Sequence, residues 1–255
     1  MKVNRVALDQ YNGILYAAYL TDGGCTDKDQ LIVKKYNGTS WIPVGTNPIS
    51  INLQRGVDFY KTGLIVSQGT PYIAFREGIN YEPKVLKYDN SWNELGDLSQ
   101  QKTNAIVLDL FVEDNIAYIA FQDDVHNASL TVMKYDTNDD LTTWEYVGQP
   151  GFSPEIASDY SLFVDEETPY ISFYDPDCNG KISVMKYSGD YWDYVGEQGF
   201  SDDTVGTTSL IVYNGTPYVA FDDGKARVMK YNGSKWVNVG NKHFSQNYTR
   251  IYLLT

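Results

Sequence analysis

Cysteine and histidine are scarce in this chain of 255 residues, which contains two of each. Two cysteines cannot form a disulfide scaffold or a zinc cage, and two histidines leave little for metal binding or acid–base chemistry. No apolar run approaches the roughly 18 residues that a membrane-spanning helix needs. The first ten residues also lack the apolar stretch of a secretory signal peptide.

Basic side chains are outnumbered by acidic ones. The chain has 20 Lys and Arg against 33 Asp and Glu, so its formal net charge is −13. Such a surface repels phosphate groups, which excludes a nucleic-acid partner or an anionic membrane as the expected target. Aromatic residues are abundant, at 15% of the chain, with 22 Tyr among them. That much apolar ring area can sustain a core, so the composition predicts an acidic globular protein.

An internal repeat of about 49 residues runs through the chain. Each repeat contains Tyr-x-x-aromatic, then Lys-Tyr, then Trp-x-x-[Val/Leu]-Gly, and finally an apolar residue followed by Ser. The five tryptophans of the chain all occupy the same repeat position: Trp41, Trp92, Trp144, Trp192 and Trp236.

Each repeat has the pattern of four short strands, here called A to D. In the last repeat, apolar and alternating segments predict strands at 209–213, 217–221, 226–231 and 235–239. Asn214-Gly215 separates the first two, and this pair is typical of a type I′ hairpin turn because both positions need positive φ. No segment has a convincing helical period.

Four-stranded antiparallel units that recur at this spacing predict an all-β fold, a β-propeller of five blades. We expect a single domain over 1–255, with repeats at about 1–50, 51–99, 100–153, 154–201 and 202–245. An extra C-terminal strand is predicted at 250–255. It either closes the ring by pairing with the first or last blade, or belongs to a longer array and pairs with a neighbour.

The turn before strand D carries a family resemblance. Asn37-Gly38-Thr39-Ser40-Trp41 and Asn232-Gly233-Ser234-Lys235-Trp236 resemble the turn of an Asp box, in which Asp and Gly precede Trp. The repeats as a whole resemble bacterial propellers related to the Asp-box, kelch and tachylectin-like families. This resemblance implies a propeller fold and, by analogy with lectin members, a glycan ligand.

Six tyrosines lie outside the repeat pattern, in loops or at positions that are polar in other repeats. Tyrosine offers an apolar ring and a polar tip, which suits a binding surface, although ordinary packing at the blade rim is the alternative. The predicted ligand-binding residues are Tyr60, Tyr81, Tyr160, Tyr174, Tyr191 and Tyr194.

The fourth B–C loop gives the most specific metal signal. Asp175, Asp177 and Asn179 precede Gly180 with the spacing that begins a calcium-binding loop. The match fails at the twelfth position, where Lys186 stands instead of a bidentate Glu. No cofactor is therefore expected. Calcium, held by these three residues, is the one candidate metal. Acids at the same place in other repeats are interpreted as turn-forming carboxylates.

Catalysis has little support in the sequence. His126 and His243 have no evident nucleophile beside them and are interpreted as loop or packing residues. A carboxylate pair for glycoside hydrolysis is not singled out among the 33 acids. No catalytic residue is predicted, and the chain is expected not to be an enzyme.

The resulting hypothesis is a non-catalytic, extracellular-type binding or adhesion module with a glycan ligand. The alternative is a protein-interaction or assembly unit that uses the propeller faces or self-associates through the C-terminal strand. A glycoside hydrolase is the third, less favoured hypothesis. The expected location is extracellular or at the cell surface, within a larger exported protein, although this segment contains no signal peptide.

Overall fold

The computed structural model describes residues 3–21, 30–46, 48–49, 63–77, 82–99, 108–138 and 143–245. The chain forms two compact units. The first comprises the described residues up to Val125 together with Met133–Glu145, and the second comprises His126–Val132 and the described residues from Tyr146 onwards. In the part of the chain that the structure describes, no helix is long and apolar enough to cross a membrane.

Twenty strands in the described residues form five antiparallel sheets of four strands each. In every sheet the strands follow one another in chain order, so consecutive strands are neighbours. The first two sheets consist of β1 Val3–Tyr11, β2 Ile14–Thr21, β3 Gln30–Tyr36, β4 Trp41–Pro43, β5 Leu64–Ser67, β6 Thr70–Glu77, β7 Glu82–Asp89 and β8 Ser91–Glu94.

The remaining three sheets have the same order. They consist of β9 Leu108–Glu113, β10 Ile116–Asp123, β11 Ser129–Asp136, β12 Glu145–Tyr146, β13 Ser158–Asp165, β14 Thr168–Asp175, β15 Lys181–Tyr187, β16 Trp192–Tyr194, β17 Thr208–Tyr213, β18 Thr216–Asp222, β19 Ala226–Tyr231 and β20 Trp236–Asn238. Two short 3-10 helices, Asp124–His126 and Pro176–Cys178, follow β10 and β14.

This architecture confirms the predicted fold class, an all-β propeller with five four-stranded blades. Each sheet is one blade, and its strands correspond to the predicted A to D. The predicted extra strand at 250–255 lies outside the described residues.

The A–B turns have the predicted backbone. Asn214 and Gly215 both have positive φ, at 49° and 68°, and the pair Asn12-Gly13 has φ of 48° and 79°. These values match the type I′ turn, whose twist fits the flanking strands. The hydrophobic pattern and the turn therefore fix the same register, in which Tyr213 pairs with Thr216.

The C–D turns with the Asp-box-like sequence are built differently. The Asn232 side-chain oxygen accepts hydrogen bonds from the backbone N–H groups of Ser234 and Lys235, at 3.1 and 3.0 Å. Asn37 does the same for Thr39 and Ser40. Asparagine is thus selected here for local hydrogen bonding to its own turn.

Strand B of the third and fourth blades contains five consecutive buried residues, whereas burial alternates along strand B of the fifth blade. The phenylalanine of the Tyr-x-x-aromatic pattern is completely buried in four blades, at Phe75, Phe121, Phe173 and Phe221. The serine of the repeat lies beside the beginning of strand C. Its hydroxyl accepts the N–H of the first or second residue of that strand in the last three blades, from Leu130, Ile182 and Ala226. The residues that recur in every repeat therefore serve mainly to build the blades.

Candidate functional site

The connections of each blade lie at two opposite edges of its sheet. Because consecutive strands are antiparallel, the A–B and C–D turns share one edge, and the B–C loops share the other edge with the D–A connections. We call the second of these the B–C edge. It carries a carboxylate at the end of strand B in two successive blades, at Asp123 and Asp175, and directly after strand B in the next blade, at Asp223.

In the third and fourth blades this carboxylate is a local cap. The Asp123 carboxylate accepts the backbone N–H of Val125 at 3.0 Å. Asp175 is completely buried; its Oδ1 accepts the N–H of Asp177 at 3.1 Å, and its Oδ2 accepts the Ser183 hydroxyl at 2.6 Å. Both acids therefore begin the short 3-10 helix that forms the B–C loop, as expected for turn-forming carboxylates.

The fifth blade departs from this pattern at two places. Arg227 pairs with Phe221 in the register where the fourth blade pairs Ser183 with Phe173, so a guanidinium replaces a hydroxyl beside the acid. The connection between strands B and C is also shorter, with three residues after Asp222 against five after Asp175. No 3-10 helix covers Asp223 within this blade.

His243 lies where the fourth blade has Gly199. The correspondence follows from the next residues, because the backbone N–H groups of Phe244 and Phe200 bond the equivalent carbonyls of Ala226 and Ile182. A side chain at Gly199 would collide with Cys178, since its Cβ would lie 2.5 Å from the Cys178 Cβ. The shorter loop of the fifth blade removes that obstacle and leaves room for an imidazole.

These differences bring five charged or titratable side chains together, here called the fifth-blade cluster: Asp202, Asp223, Arg227, Lys242 and His243. Arg227 Nη1 lies 2.9 Å from Asp223 Oδ2 and 3.1 Å from Asp202 Oδ2. His243 Nε2 lies 3.0 Å from Asp223 Oδ1, and Lys242 forms an ion pair with Asp202. Both oxygens of Asp223 are thus bound by cationic or imidazole nitrogen.

The members of the cluster differ in exposure. The side chain of Asp223 is fully buried and that of Arg227 is 5% exposed, whereas 29% of His243 and 49% of Asp202 face solvent. Arg227 is fixed further by a hydrogen bond from its Nε to Asn238 and by its position 5.7 Å from the Phe221 ring centre. The buried pair therefore forms a rigid base beneath an accessible carboxylate and imidazole.

The electrostatics of the cluster keep Asp202 ionised. The hydrogen bond from Lys242 lowers the pKa of Asp202 most, and the charges of Arg227 and Lys242 lower it further. A carboxylate that accepts charged hydrogen bonds and remains accessible can act as a nucleophile or as a base. An imidazole whose Nε2 is held by a buried carboxylate can exchange protons through its other nitrogen.

The predicted tyrosines do not gather at one place. Tyr174 is the penultimate residue of strand B of the fourth blade and Tyr194 ends its strand D, so both lie towards the B–C edge. Burial, followed by the charge of Asp175, raises the pKa of Tyr194 to about 12. Tyr160 is completely buried, and Tyr191 is exposed at the opposite edge. Tyr60 and Tyr81 lie outside the described residues.

The predicted calcium ligands have another structural role. Asp175 caps the 3-10 helix Pro176–Cys178, and Asn179 ends it with φ of 57°. Both oxygens of Asp175 already accept hydrogen bonds from the protein. No group of three or more His, Cys, Asp or Glu within the described ranges is placed to hold a metal ion. Calcium binding by Asp175, Asp177 and Asn179 stays a prediction.

Sequence reasoning missed the fifth-blade cluster because its members come from three connections that are distant in the chain. Asp202 lies between strand D and the next strand A, Asp223 follows strand B, and His243 follows strand D of the last blade. Two departures from the repeat, both visible in the sequence, point to the cluster. Arg227 stands where another blade has Ser183, and a histidine precedes Phe244 where a glycine precedes Phe200.

The comparisons with known proteins support the fold. No family model matches the chain, and no curated protein matches it. Among solved structures, the chain is similar to a Trypanosoma rangeli sialidase in complex with 2,3-difluorosialic acid, with a TM-score of 0.56 and 14% identity over 96% of this chain and 49% of that one. It is also similar to sucrose-6-phosphate hydrolase from Lactobacillus gasseri, with a TM-score of 0.53 and 12% identity over 92% of this chain and 60% of that one.

These similarities correct two predictions. Both solved structures are named as carbohydrate-cleaving enzymes, and the chain spans about half to three fifths of their length. The expectation that the chain is not an enzyme, and the hypothesis of a non-catalytic binding or adhesion module, are contradicted by this finding and are wrong. The propeller part of the family resemblance is supported, whereas the Asp-box, kelch or tachylectin-like assignment is not.

Proposed function

We propose that this protein is a glycoside hydrolase whose reaction centre is the fifth-blade cluster. One observation carries the proposal. Asp202 and Asp223 each place a carboxylate oxygen about 3 Å from the same Arg227 nitrogen. Because Asp223 also bonds His243 Nε2 at 3.0 Å, this bridge holds the accessible Asp202 carboxylate and the partly exposed His243 imidazole on one buried ion pair.

Asp202 has the properties of the nucleophile. Its side chain is accessible, its pKa is lowered by Lys242, and its Oδ2 is held by two cations. Fixing one oxygen restricts rotation of the carboxylate, so that Oδ1 can approach an anomeric carbon in a defined direction. The cationic partners also disperse the charge that returns to the carboxylate when the intermediate is hydrolysed.

His243 has the properties of the proton donor. Asp223 is too deeply buried to contact a substrate, but its Oδ1 bonds His243 Nε2 and so orients the imidazole ring. The ring is partly exposed, which leaves Nδ1 to give a proton to the oxygen of a leaving group.

The reaction follows from these two roles. Asp202 Oδ1 bonds to the anomeric carbon as the bond to the glycosidic oxygen breaks, and that oxygen takes a proton from the His243 imidazolium. A water molecule then attacks the anomeric carbon, its proton returns to the imidazole, and the Asp202 carboxylate is released. Atoms and charges are restored after each turnover, and no cofactor is consumed.

The substrate class is a glycan that reaches the B–C edge. We include Tyr174 and Tyr194 of the fourth blade as residues that contact it, since both lie at that edge and tyrosine rings suit the apolar faces of sugars. The proposal also includes the extracellular or cell-surface location inferred above, which secretion assays on the producing cells test directly.

Hydrolysis of a panel of chromogenic aryl glycosides tests the proposal. The wild-type chain is expected to release aglycone from at least one substrate, and Asp202→Asn to reduce the rate by about 100-fold or more, because it removes a group that acts in the transition state. Asp203→Asn is the matched control. The neighbouring Asp203 bonds the backbone N–H of Thr204 instead and lies outside the cluster.

Two results would contradict the proposal. Wild-type protein could release no aglycone from any panel member or from oligosaccharides followed by chromatography. Alternatively, Asp202→Asn and Asp203→Asn could retain equal rates, which would place the activity elsewhere.

A further inference from the structure

A tyrosine and a lysine of the repeat face the fifth blade from the fourth. Tyr170 of strand B lies directly opposite Lys186 of strand C, so the two side chains share one face of the sheet. Tyr170 packs in one apolar cluster with Leu210 and Val212 of the fifth blade, which identifies this face as the one between the two blades. Both blades belong to the second compact unit.

The same pair has a protein partner in the second blade. Tyr72 and Lys87 are paired in the same register, and both contact Thr137 of the third blade within the first compact unit. The Lys87 ammonium donates to the Thr137 carbonyl at 3.2 Å, and the Tyr72 hydroxyl lies 3.4 Å from the Thr137 hydroxyl. One residue of the following blade thus offers two oxygen atoms to the pair.

The fifth blade has glycine at the position of this partner. Thr137 comes two residues after the tyrosine of its Lys-Tyr pair, and the residue two after Tyr231 is Gly233. Glycine has no hydroxyl, and no atom lies within 4 Å of a Cβ placed on Gly233. Across the described ranges of the chain, neither the Tyr170 hydroxyl nor the Lys186 ammonium makes a hydrogen bond or an ion pair.

A cavity of about 540 Å³ lies beside the unpartnered pair. Its polar lining includes Tyr170, Lys186 and Thr216. Its apolar walls include Val195 and Pro217. Small-molecule sites have volumes of roughly 300–1,000 Å³ and likewise combine apolar walls with a few polar groups. The A–B and C–D turns of the fifth blade also line the cavity, which places it at the edge opposite the B–C edge.

The lysine and the tyrosine at this cavity can both donate hydrogen bonds. Tyr170 is 9% exposed, and burial, followed by the charge of Asp165, raises its pKa, so the hydroxyl keeps its proton. Asp193 lies opposite Lys186 on strand D, but it is exposed, and the two form no ion pair in the part of the chain that the structure describes. The ammonium therefore remains available to a ligand, and it has only donors to offer.

We propose that this cavity binds a small molecule with an oxyanion group, a carboxylate or a phosphate. The oxyanion takes the place of the two Thr137 oxygens and accepts hydrogen bonds from Lys186 and Tyr170. The rest of the molecule lies against Val195 and Pro217. The site is separate from the fifth-blade cluster, and the inference does not depend on the proposed hydrolase activity.

Isothermal titration calorimetry with three sugars of similar ring structure tests the proposal. The sugars are glucuronate, glucose 6-phosphate and glucose, so the first two arms distinguish a carboxylate from a phosphate. At least one of the two anions is expected to bind. Glucose lacks the oxyanion and should bind at least about tenfold more weakly, because a hydrogen bond to a charged group is lost.

Substitutions at the cavity locate the binding. Lys186→Met should weaken binding of the anionic sugar by about tenfold or more, whereas Lys186→Arg keeps the charge and should retain most of it. Tyr170→Phe should weaken binding by about fivefold, since it removes a neutral donor. Lys225→Met is the charge-matched control, because Lys225 is exposed in the B–C connection of the fifth blade, and it should bind like wild type.

Four results would overturn the proposal. Neither anionic sugar could bind, or glucose could bind as tightly as both of them. Lys186→Met could lose no more affinity than Lys225→Met. Binding that is lost in Asp202→Asn and kept in Lys186→Met would place the ligand at the fifth-blade cluster instead of the cavity.

Discussion

At the scale of single residues, the same acidic repeat position has two different roles. Asp175 caps a 3-10 helix, whereas Asp223 is held by a guanidinium and an imidazole. The sequence indicates that an acid recurs after strand B, and the cap role follows from its turn chemistry. The partners of Asp223 could not be predicted, because they depend on which connections the fold brings together and on a loop that is two residues shorter.

Arg227→Met tests whether the buried ion pair supports the fifth blade. Removing the guanidinium leaves the buried Asp223 carboxylate with one fewer partner, and breaking such a pair costs about 3–5 kcal/mol of unfolding free energy. Lys84→Met is the matched control, because Lys84 occupies the same register in the second blade but its pair with Glu94 is more exposed. That loss should stay below about 1 kcal/mol.

Chemical denaturation measures both losses. Equal losses for Arg227→Met and Lys84→Met would show that burial of the Asp223–Arg227 pair does not increase its contribution to the unfolding free energy. The double variant Arg227→Met/Asp223→Asn should regain part of the loss, since it removes the unpaired charge.

Asp202 should make stability depend on pH at the acidic end. Its pKa in the folded protein is below the ordinary value of 3.8. The folded state therefore releases the proton more readily than the unfolded state, and the stability that Asp202 contributes is present above pH 3.8 and is lost as the pH falls through the lowered pKa. The difference in unfolding free energy between wild type and Asp202→Asn should shrink over that range.

Lys242→Met provides the check on this cause. The hydrogen bond from Lys242 lowers the pKa of Asp202 most. When Lys242→Met is present in both proteins, the effect of Asp202→Asn on the unfolding free energy should therefore change much less with pH. A difference between wild type and Asp202→Asn that stays constant with pH would contradict the assignment.

At the scale of the elements, strands and turns were largely predictable. The predicted strand C at 226–231 coincides with β19, and the predicted strand A at 209–213 is one residue shorter than β17. The predictions succeed because alternation and Asn-Gly turns act locally and point to one register. The contacts between blades were not predicted. The tryptophan of one blade donates its indole N–H to a backbone carbonyl of the preceding blade, and the two residues are more than 40 positions apart in the chain.

Two alanine substitutions separate backbone strain from packing between blades. Gly196 and Gly240 occupy the same repeat position with φ of 76° and 73°. Both pay a similar cost of about 1 kcal/mol for an alanine at positive φ. Only Gly196→Ala also forces a Cβ against Tyr231, which should cost about 1–3 kcal/mol more.

Thermal or denaturant unfolding of the two variants at low protein concentration gives this difference. If Gly240→Ala were as destabilising as Gly196→Ala, the extra loss at Gly196 could not be attributed to its contact with the Tyr231 ring.

At the scale of the whole molecule, the repeat predicted the five-bladed propeller, and the similarity to solved structures agrees with it. The function did not follow from the same features. Repeat residues build blades, whereas the fifth-blade cluster consists of departures from the repeat, such as Arg227 and His243. The interpretation of the chain as a non-catalytic module relied on the repeat and not on these departures from it. Its organisation as one domain stays a prediction.

The most direct test of the central claim is chemical rescue of Asp202→Gly, with the chromogenic glycoside that wild-type protein hydrolyses fastest. The variant is expected to have lost activity, because it lacks the carboxylate that bonds to the anomeric carbon. Sodium azide should restore aglycone release by entering the vacated space and should yield a glycosyl azide. A variant as active as wild type without azide, or one that azide does not restore although it is folded, would contradict the assignment of Asp202 as the nucleophile of a glycoside hydrolase.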